Sequence, residues 1–406
     1  MGKKQVPAIR FQGFTDAWEQ RKLSEITDKV TEKNAGLQYV ETFTNSAEFG
    51  IISQRDFFDH DIAKLGSLDG YYIVKDEDFV YNPRISTSAP VGPINRNKLG
   101  RTGVMSPLYT VFRPHDIDTT YLEHFFKCDY WHSFMNFNGD SGARSDRFSI
   151  RDNVFFQMPI PIPDIDEQRK IGELLTCLDH LITLHQRKYE KLLKVKKSML
   201  EKMFPRDGAD VPEIRFDGFT DAWEQRKLGD IYIERNERGN AELDILSVSI
   251  HHGISQNELD TDELGKSVRR SDDKSLYKHV YYGDLVFNMM RAWQGAIGVV
   301  KNEGMVSPAY ISAIPDDSVF PEFMDYCLRR KCIINQINNL SYGVTDFRKR
   351  LYWEPFTRVT IMMPSVDEQR KITDIFRQLD DLITLHQRKL EKLKNIKKSL
   401  LEKMFV

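Results

Sequence analysis

One repeated stretch of the sequence contains clustered acidic residues of the kind that a metal-dependent nuclease uses as catalytic carboxylates. The stretch PDIDEQRK begins at Pro163 and resembles a nuclease carboxylate cluster. Its second copy reads PSVDEQRK, so Ser365 replaces an aspartate. Acidic residues at a helix start cap free N–H groups and interact favourably with the helix dipole. We therefore interpret both copies as helix starts rather than as catalytic sites.

Other motifs of catalysis are incomplete. YNPR at Tyr81 to Arg84 is similar to the Asn-Pro-Pro-Tyr/Phe signature of adenine methyltransferases, but Arg84 stands where the second proline belongs. ELGKS at residues 263–267 ends like a P-loop, but Asp260 stands where the first glycine is required. The sequence also lacks a G-x-S-x-G elbow and an H-E-x-x-H pair. We predict no catalytic, cofactor-binding or metal-binding residues.

Composition favours a globular protein without a global charge signature. The 406 residues include 58 Lys plus Arg and 60 Asp plus Glu, so any basic surface must be local. The four cysteines form no C-x-x-C pair and are expected to be reduced thiols. No stretch approaches the roughly 18 apolar residues of a membrane span. We expect a cytoplasmic protein.

Two blocks of sequence occur twice. IRFQGFTDAWEQRKL at residues 9–23 returns as IRFDGFTDAWEQRKL at residues 214–228, and the block from Asp166 to Phe204 returns from Asp367 to Phe405. The intervening segments have diverged but share a faint skeleton. The chain is a tandem duplication, with predicted domains at residues 1–160 and 206–362 and predicted helical segments at residues 161–205 and 363–406.

The periodicity of each part predicts its structure. Short β-branched and aromatic runs such as YYIVKDEDFVYN, separated by Gly, Pro and Asn, predict short strands and an α+β fold for each domain. The long blocks carry an apolar heptad that begins at Ile171 and Ile372, with Leu181 and Leu382 at d positions. The predicted architecture is two tandem-duplicated globular domains separated by two long helices packed as an antiparallel coiled coil. His185 and His386 occupy equivalent seam positions and are interpreted as polar residues that fix register, with a metal or pH-sensing pair as the alternative.

The arrangement of these blocks resembles the specificity subunit of type I restriction-modification systems, the HsdS family. The resemblance rests on the repeated GF…W…KL block, the repeated EQRKI helix start, and GVMSP at Gly103 and GMVSP at Gly304. It covers essentially the whole chain.

The resemblance implies a non-catalytic DNA-binding subunit with two target-recognition domains, each of which reads one half of an asymmetric bipartite site. The helices would set the spacing. Two methyltransferase subunits would supply S-adenosylmethionine and the adenine-methylating chemistry, and restriction translocase subunits would use ATP and Mg. No cofactor is expected on this chain.

Basic and polar loops are the expected DNA contacts, because phosphate contacts position a protein while Arg, Asn and Gln read base edges. The candidates in the first domain are Arg84, Arg96, Arg101, Arg144, Ser145 and Arg147. Those in the second domain are Lys266, Arg269, Arg270, Arg291, Tyr342, Thr345, Arg348 and Lys349.

The conserved blocks present one surface twice, which suits two copies of one partner. The candidate partner-binding residues are Phe14, Trp18, Leu23 and Leu181 in the first copy and Phe219, Trp223, Leu228 and Leu382 in the second. A coiled-coil adaptor that binds only proteins is the alternative function.

Overall fold

The computed structural model describes residues 6–58, 65–140, 146–206, 208–240, 242–250, 253–255, 275–343 and 349–405. Its contacts divide the chain into two units, Met1–Gln186 with Arg388–Val406 and Arg187–Gln387. This division differs from the four segments that the sequence predicts. Each long helix is shared between the units, because its two ends pack against different domains.

The first unit is built on a four-stranded antiparallel sheet in the order β2-β9-β6-β7. Two-stranded ladders β1-β10, β3-β4 and β5-β8 surround it. The strands are β1 (Glu19–Lys22), β2 (Thr27–Lys29), β3 (Phe43–Ser46), β4 (Gly50–Ser53), β5 (Tyr72–Val74), β6 (Phe79–Tyr81), β7 (Ile94–Arg96), β8 (Gly103–Met105), β9 (Thr110–Pro114) and β10 (Pro159–Ile162). The helices are α1 (Gln54–Phe58), α2 (Thr119–Phe125), α3 (His132–Asn138), α4 (Asp152–Phe155) and the long α5 (Ile165–Lys202), with 3₁₀ turns at Leu23–Glu25 and Leu65–Gly70.

The second unit repeats this plan with a four-stranded sheet in the order β12-β19-β16-β17 and ladders β11-β20, β13-β14 and β15-β18. The strands are β11 (Glu224–Lys227), β12 (Tyr232–Arg235), β13 (Val248–Ser249), β14 (Gly253–Ile254), β15 (Lys278–Val280), β16 (Leu285–Asn288), β17 (Ile297–Val299), β18 (Gly304–Val306), β19 (Tyr310–Pro315) and β20 (Thr360–Met363). The helices are α6 (Leu228–Ile231), α7 (Pro321–Leu328), α8 (Lys331–Leu340), α9 (Trp353–Thr357) and the long α10 (Val366–Met404), with a 3₁₀ turn at Ala292–Gln294.

The expected mixture of short strands and helices is confirmed. The run YYIVKDEDFVYN forms β5 and β6, and the central strand β6 is fully buried because both its faces are covered. The stretch TYLEHFFKCDYWHSFM from Thr120 forms two separate helices, α2 and α3. Among the described residues, no helix is long and apolar enough to span a membrane.

The ends of the long helices complete the cores. In the second unit, Phe204 from the end of α5 stacks on Phe323 at 5.4 Å, and its ring centroid lies 6.4 Å from that of Phe376 in α10. Further back along α5, Lys196 forms an ion pair with Asp380, which lies further along α10. The two helices therefore run antiparallel in this unit, as predicted.

The first unit has the corresponding pairs. Phe405 from the end of α10 contacts Tyr121 with ring centroids 5.4 Å apart, and Lys397 pairs with Asp179 of α5. The repeated EKMF sequence is thus explained by packing, because each copy buries a Met-Phe pair in an aromatic core.

The apolar seam is offset by one residue from the predicted heptad at its d positions. Ile171, Leu175 and Leu178 are buried in α5, whereas Leu181 is 37% exposed. In α10 the neighbouring Ile383 is 9% exposed and Leu382 is 44% exposed. Leu181 and Leu382 therefore lie outside the packed seam, in which the buried residues follow Ile171 after four and then three residues, rather than after three and then four as the predicted heptad has it.

Candidate nucleic-acid interface

The end of strand β6 positions Arg84 beside a distant loop of the first unit. Arg84 and Arg147 form an antiparallel bridge, Ile85 N–H donates to the Asp146 carbonyl at 3.0 Å, and Phe148 N–H donates to the Pro83 carbonyl at 2.7 Å. Two predicted groups that lie some sixty residues apart are therefore adjacent. Arg84 remains 72% exposed, and its guanidinium is 3.9 Å from Asp146.

A buried asparagine network holds the turn that precedes Arg84. Asn82 Oδ1 accepts from Arg84 N–H at 2.9 Å, while Asn82 Nδ2 donates to the Asn45 carbonyl at 2.8 Å. Asn45 in turn donates to the Val80 carbonyl and accepts from Asn95 Nδ2, both at 2.7 Å. Because Asn45 is almost fully buried, these hydrogen bonds hold the turn in one conformation.

The second unit repeats the junction with different residues. Leu351 N–H donates to the Met289 carbonyl at 2.9 Å, as Phe148 N–H does to the Pro83 carbonyl. The Tyr342–Arg350 bridge corresponds to the Asp140–Ser149 bridge of the first unit. Asn288 occupies the position of Asn82, since its Oδ1 accepts from Met290 N–H at 3.0 Å.

The side chains at this second junction are aromatic and basic. Tyr342 is 60% exposed and stacks on Tyr352 with ring centroids 5.3 Å apart. Lys349 donates to Asn338 Oδ1 at 3.2 Å and lies 5.7 Å from the Trp293 ring centroid. Arg291 immediately precedes the 3₁₀ turn that follows β16. Aromatic faces and cations are groups that contact nucleobases and phosphates.

Two predicted DNA contacts are occupied by intramolecular partners. The side chain of Arg96 is 7% exposed and contacts Glu77 at 3.0 Å, Glu123 at 2.6 Å and Thr119 at 2.7 Å. Arg101 makes two 2.8 Å hydrogen bonds to Glu41, which raise the pKa of Arg101. Arg96 neutralises the buried carboxylate of Glu123 and is not available to phosphates, so we leave it out of the candidate interface. The Arg101–Glu41 pair lies at the surface, with side chains 47% and 33% exposed, and Arg101 is left out because its guanidinium already has a two-bond carboxylate partner.

Several predicted contacts lie outside the described residues. These are Arg144, Ser145, Lys266, Arg269, Arg270, Thr345 and Arg348. The candidate interface therefore consists of Arg84 and Arg147 in the first unit and Arg291, Tyr342 and Lys349 in the second.

The repeated fifteen-residue block docks on the start of a long helix within its own unit. Arg10 makes hydrogen bonds of 2.7 and 2.8 Å to the Glu167 carboxylate, and Trp18 Nε1 donates to the same carboxylate at 3.2 Å. In the second unit Arg215 makes two 2.8 Å hydrogen bonds to Glu368. The duplication of this block therefore has an intramolecular reason, since the helix start that it binds is duplicated too.

The neighbouring glutamine ties each helix start to its domain. Gln168 accepts from Asp118 N–H at 2.9 Å, and Gln369 accepts from Phe320 N–H at 2.8 Å. The acidic helix starts are predicted to act as caps, a role that Asp164 fills by accepting from Asp166 N–H at 2.9 Å. The clamp formed by Glu and Gln was missed, although its signal was present in the identical EQRK of both copies.

Half of the predicted partner-binding residues are core residues. Each is at most 5% exposed and so is inaccessible to another protein: Trp18, Leu23, Trp223 and Leu228.

The other four are accessible. Phe14 and Phe219 are partly exposed, and each lies 4.8 Å from a lysine ammonium, that of Lys170 or Lys371. With the exposed Leu181 and Leu382, they present matching apolar residues in the two units.

No group of three or more His, Cys, Asp or Glu in the described part of the chain is arranged to hold a metal ion. The acidic residues at the helix starts are accounted for by capping and by the Arg10–Glu167 and Arg215–Glu368 pairs.

Comparisons with known proteins identify the family. The sequence profile of the type I restriction modification DNA specificity domain matches residues 15–194 and again residues 221–395. These two matches cover most of the chain and follow its duplication. The chain belongs to this family.

Individual relatives are distant. The type I restriction enzyme MjaVIII specificity subunit of Methanocaldococcus jannaschii is 21% identical over 272 residues, and the match covers 61% of each protein. The MjaIX specificity subunit of the same organism is 28% identical over 116 residues, covering 29% of this chain and 26% of the relative. The crystal structure of a type I restriction-modification S subunit from M. genitalium has a TM-score of 0.58 and 13% identity, covering 99% of both chains. That similarity shows the fold.

Proposed function

We propose that this member of the specificity-domain family is the non-catalytic specificity subunit of a type I restriction-modification complex, in which each unit reads one half of an asymmetric bipartite DNA site. The observation that carries this proposal is the repeated junction between a strand end and a loop. The first junction carries an exposed Arg84 beside a half-buried Arg147, whereas the second carries an exposed Tyr342 and a half-buried Lys349. One framework with different exposed groups suits two different half-sites.

Local rather than global charge supports DNA binding here. The net charge of −2 gives no long-range attraction to DNA, so phosphate contacts must come from particular loops. Arg84 is positioned for this role because Asn82 fixes the backbone on which it stands. A side chain held on a rigid turn loses less entropy on binding than one on a free loop.

The proposed partners of this chain are double-stranded DNA and two methyltransferase subunits, with restriction translocase subunits in the complete complex. S-adenosylmethionine would be bound by the methyltransferase, and ATP and Mg by the translocase. The repeated accessible residues Phe14 with Leu181 and Phe219 with Leu382 are proposed to contact the two methyltransferase copies.

The test is methylation sequencing of DNA from cells that express the methyltransferase with this chain or with variants. We expect methyladenine at a two-part asymmetric motif only when the chain is present. Arg84→Ala should relax or weaken recognition of one half-site, and Tyr342→Ala should affect the other. Each change should reduce methylation by about five- to one-hundred-fold, since one good base contact contributes about 1–3 kcal/mol.

Arg21→Ala is the matched control, because Arg21 lies in β1, which pairs with β10, and its side chain bonds to Glu25 rather than to the junction. Methylation that does not depend on this chain would contradict the proposal and favour a protein adaptor. If both variants affected the same half-site, the proposal that each unit reads its own half-site would be wrong.

The long helices are proposed to set the distance between the half-sites. Four extra residues after both Leu184 and Leu385 add about 6 Å to each helix, which corresponds to about two base-pair steps of roughly 3.4 Å. We expect the spacer of the methylated motif to lengthen by about that amount while the half-sites stay unchanged.

A two-residue insertion at both positions is the control. It rotates all later side chains by about 200° around the helix, so the buried seam should be lost together with activity. A four-residue insertion that preserves activity and leaves the spacer unchanged would show that the helices are not the ruler.

A further inference from the structure

The second unit contains a basic cleft at the opposite end of α8 from Tyr342 of the candidate interface. It has a volume of about 1010 Å³ and is enclosed by the end of α5, the middle of α10 and the turn between α7 and α8. Among the described residues, seven basic and three acidic side chains line it. Tyr342 of the candidate interface follows the other end of α8, about 15 Å away along this ten-residue helix.

The cleft has a fixed floor. Lys196 pairs with Asp380, which also accepts from the Tyr326 hydroxyl at 3.1 Å. Arg330 lies 4.6 Å from the ring centroid of Phe204 and donates to the Pro205 carbonyl at 3.1 Å. These residues are used in holding the helices to the domain, so they shape the cleft without offering a free charge.

Two exposed lysines have no such role. Lys197 and Lys331 make no ion pair or hydrogen bond with any residue that the structure describes, and both line the cleft. Lys331 is also the first residue of α8, where free backbone N–H groups favour negative charge. Unpaired cations above a fixed floor provide attraction for an anionic ligand without the loss of an internal bond.

The first unit has the equivalent cleft with a different charge. It has a volume of about 660 Å³, and its described lining has four basic and three acidic side chains. The helical halves share three residues, since Lys398, Leu401 and Glu402 correspond to Lys197, Leu200 and Glu201. The domain half differs, because Asp129 stands where the second unit has Lys331.

We propose that this cleft binds an acidic segment of a partner protein, and that the second unit holds the segment more tightly than the first. A polypeptide is favoured over a DNA duplex because the cleft is walled by three elements and mixes apolar residues such as Leu200 and Cys332 with its charges. The repeated helical half suits a partner that is present twice. Naming the methyltransferase as that partner rests on the proposed function.

The experiment measures fluorescence anisotropy of a labelled hexaglutamate peptide with the full-length chain. We expect saturable binding that weakens with salt, and binding about tenfold weaker for Lys197→Gln combined with Lys331→Glu, because each exposed ion pair contributes up to a few-fold. Glutamate in the first turn is favourable for α8, so the variant should stay folded. Lys398→Gln is the matched control in the first cleft and should change the affinity less than twofold.

The reverse change is Asp129→Lys, which should create a second peptide site of comparable affinity in the first unit. Failure of the wild-type chain to bind the peptide, or equal binding by the double variant, would overturn the proposal. If the double variant instead lost affinity for a random-sequence duplex and kept the peptide, the cleft would be a phosphate contact and the proposal would be wrong. The peptide assay needs neither a DNA target nor a methyltransferase, so it can fail while the proposed function stands.

Discussion

Helices α2 and α7 occupy equivalent places in the two units, because the N–H of the residue that precedes each helix is bound by Gln168 or Gln369. By this correspondence Glu123 and His124 in the first unit match Asp325 and Tyr326 in the second. Burial would raise the pKa of Glu123, but Lys127, Arg96 and Lys98 together lower it to about 2. Burial dominates at Asp325 and raises its pKa.

The difference shows how one framework tolerates opposite electrostatics. Glu123 is kept ionised by three cations, so its neighbourhood depends on ion pairs. Asp325 accepts instead from Val299 N–H at 2.8 Å and has a distant lysine, Lys301, at 3.9 Å. The apolar contacts of the two helices are alike, whereas the polar contacts have diverged with the surface around them.

The two units should respond most alike at the buried ion pair that occurs in both. Glu167→Ala leaves the Arg10 guanidinium, which is 12% exposed, without its carboxylate, and Glu368→Ala does the same to Arg215. Each change should destabilise its own unit by about 3 kcal/mol, as removal of one partner from a buried ion pair does. The effect should be larger in the first unit, because Glu167 also accepts from Trp18.

Hydrogen exchange of β1 and β11 measures this destabilisation in each unit separately. Asp166→Ala and Asp367→Ala are matched controls, since both residues are exposed neighbours of the clamp, and they should each cost less than about 1 kcal/mol. Equal loss of protection in β1 and β11 after a single substitution would mean that the units do not unfold independently.

Lowering the pH should change the stability of the two units differently, and the effect should be smaller than that of the substitutions above. Burial lowers the pKa of His124 to about 3, so between pH 6.5 and 3 the unfolded chain binds a proton that the folded first unit does not. Stability of the first unit should therefore fall as the pH decreases below 6.5, by about 2 kcal/mol at pH 5. Glu123 adds to this loss below about pH 4.5, because its folded pKa is lowered.

The second unit should respond in the opposite sense at the equivalent acid. A raised folded pKa means that Asp325 binds its proton more readily when folded, which favours the folded state as the pH falls. Hydrogen exchange of α2 and α7 at pH 7.5 and 5, corrected for intrinsic rates, should show loss of protection mainly in α2. His124→Gln should reduce that loss, and equal acid sensitivity of α2 and α7 in the wild-type chain would refute the comparison.

The candidate site was predictable in part. The strand motif at Arg84 and the loop at Arg147 were recognised separately, and the structure adds that they form one bridge. Arg96 could not be judged from sequence, because its burial depends on Glu77 and Glu123 from other elements. Trp18 and Leu23 were assigned to a partner surface for the same reason, since duplication reveals a repeated contact but not whether that contact is internal.

The sequence by itself determined the duplication, the mixed domains and the two long helices, because identity and periodicity are properties of the chain and repeat in it directly. It also indicated the absence of familiar catalytic motifs. Only the tertiary structure decided which charges are exposed. Glu167 with Arg10 and Lys397 with Asp179 join residues more than 150 positions apart. Such pairs depend on how helices and sheets pack in three dimensions, and a local sequence pattern carries no information about that packing.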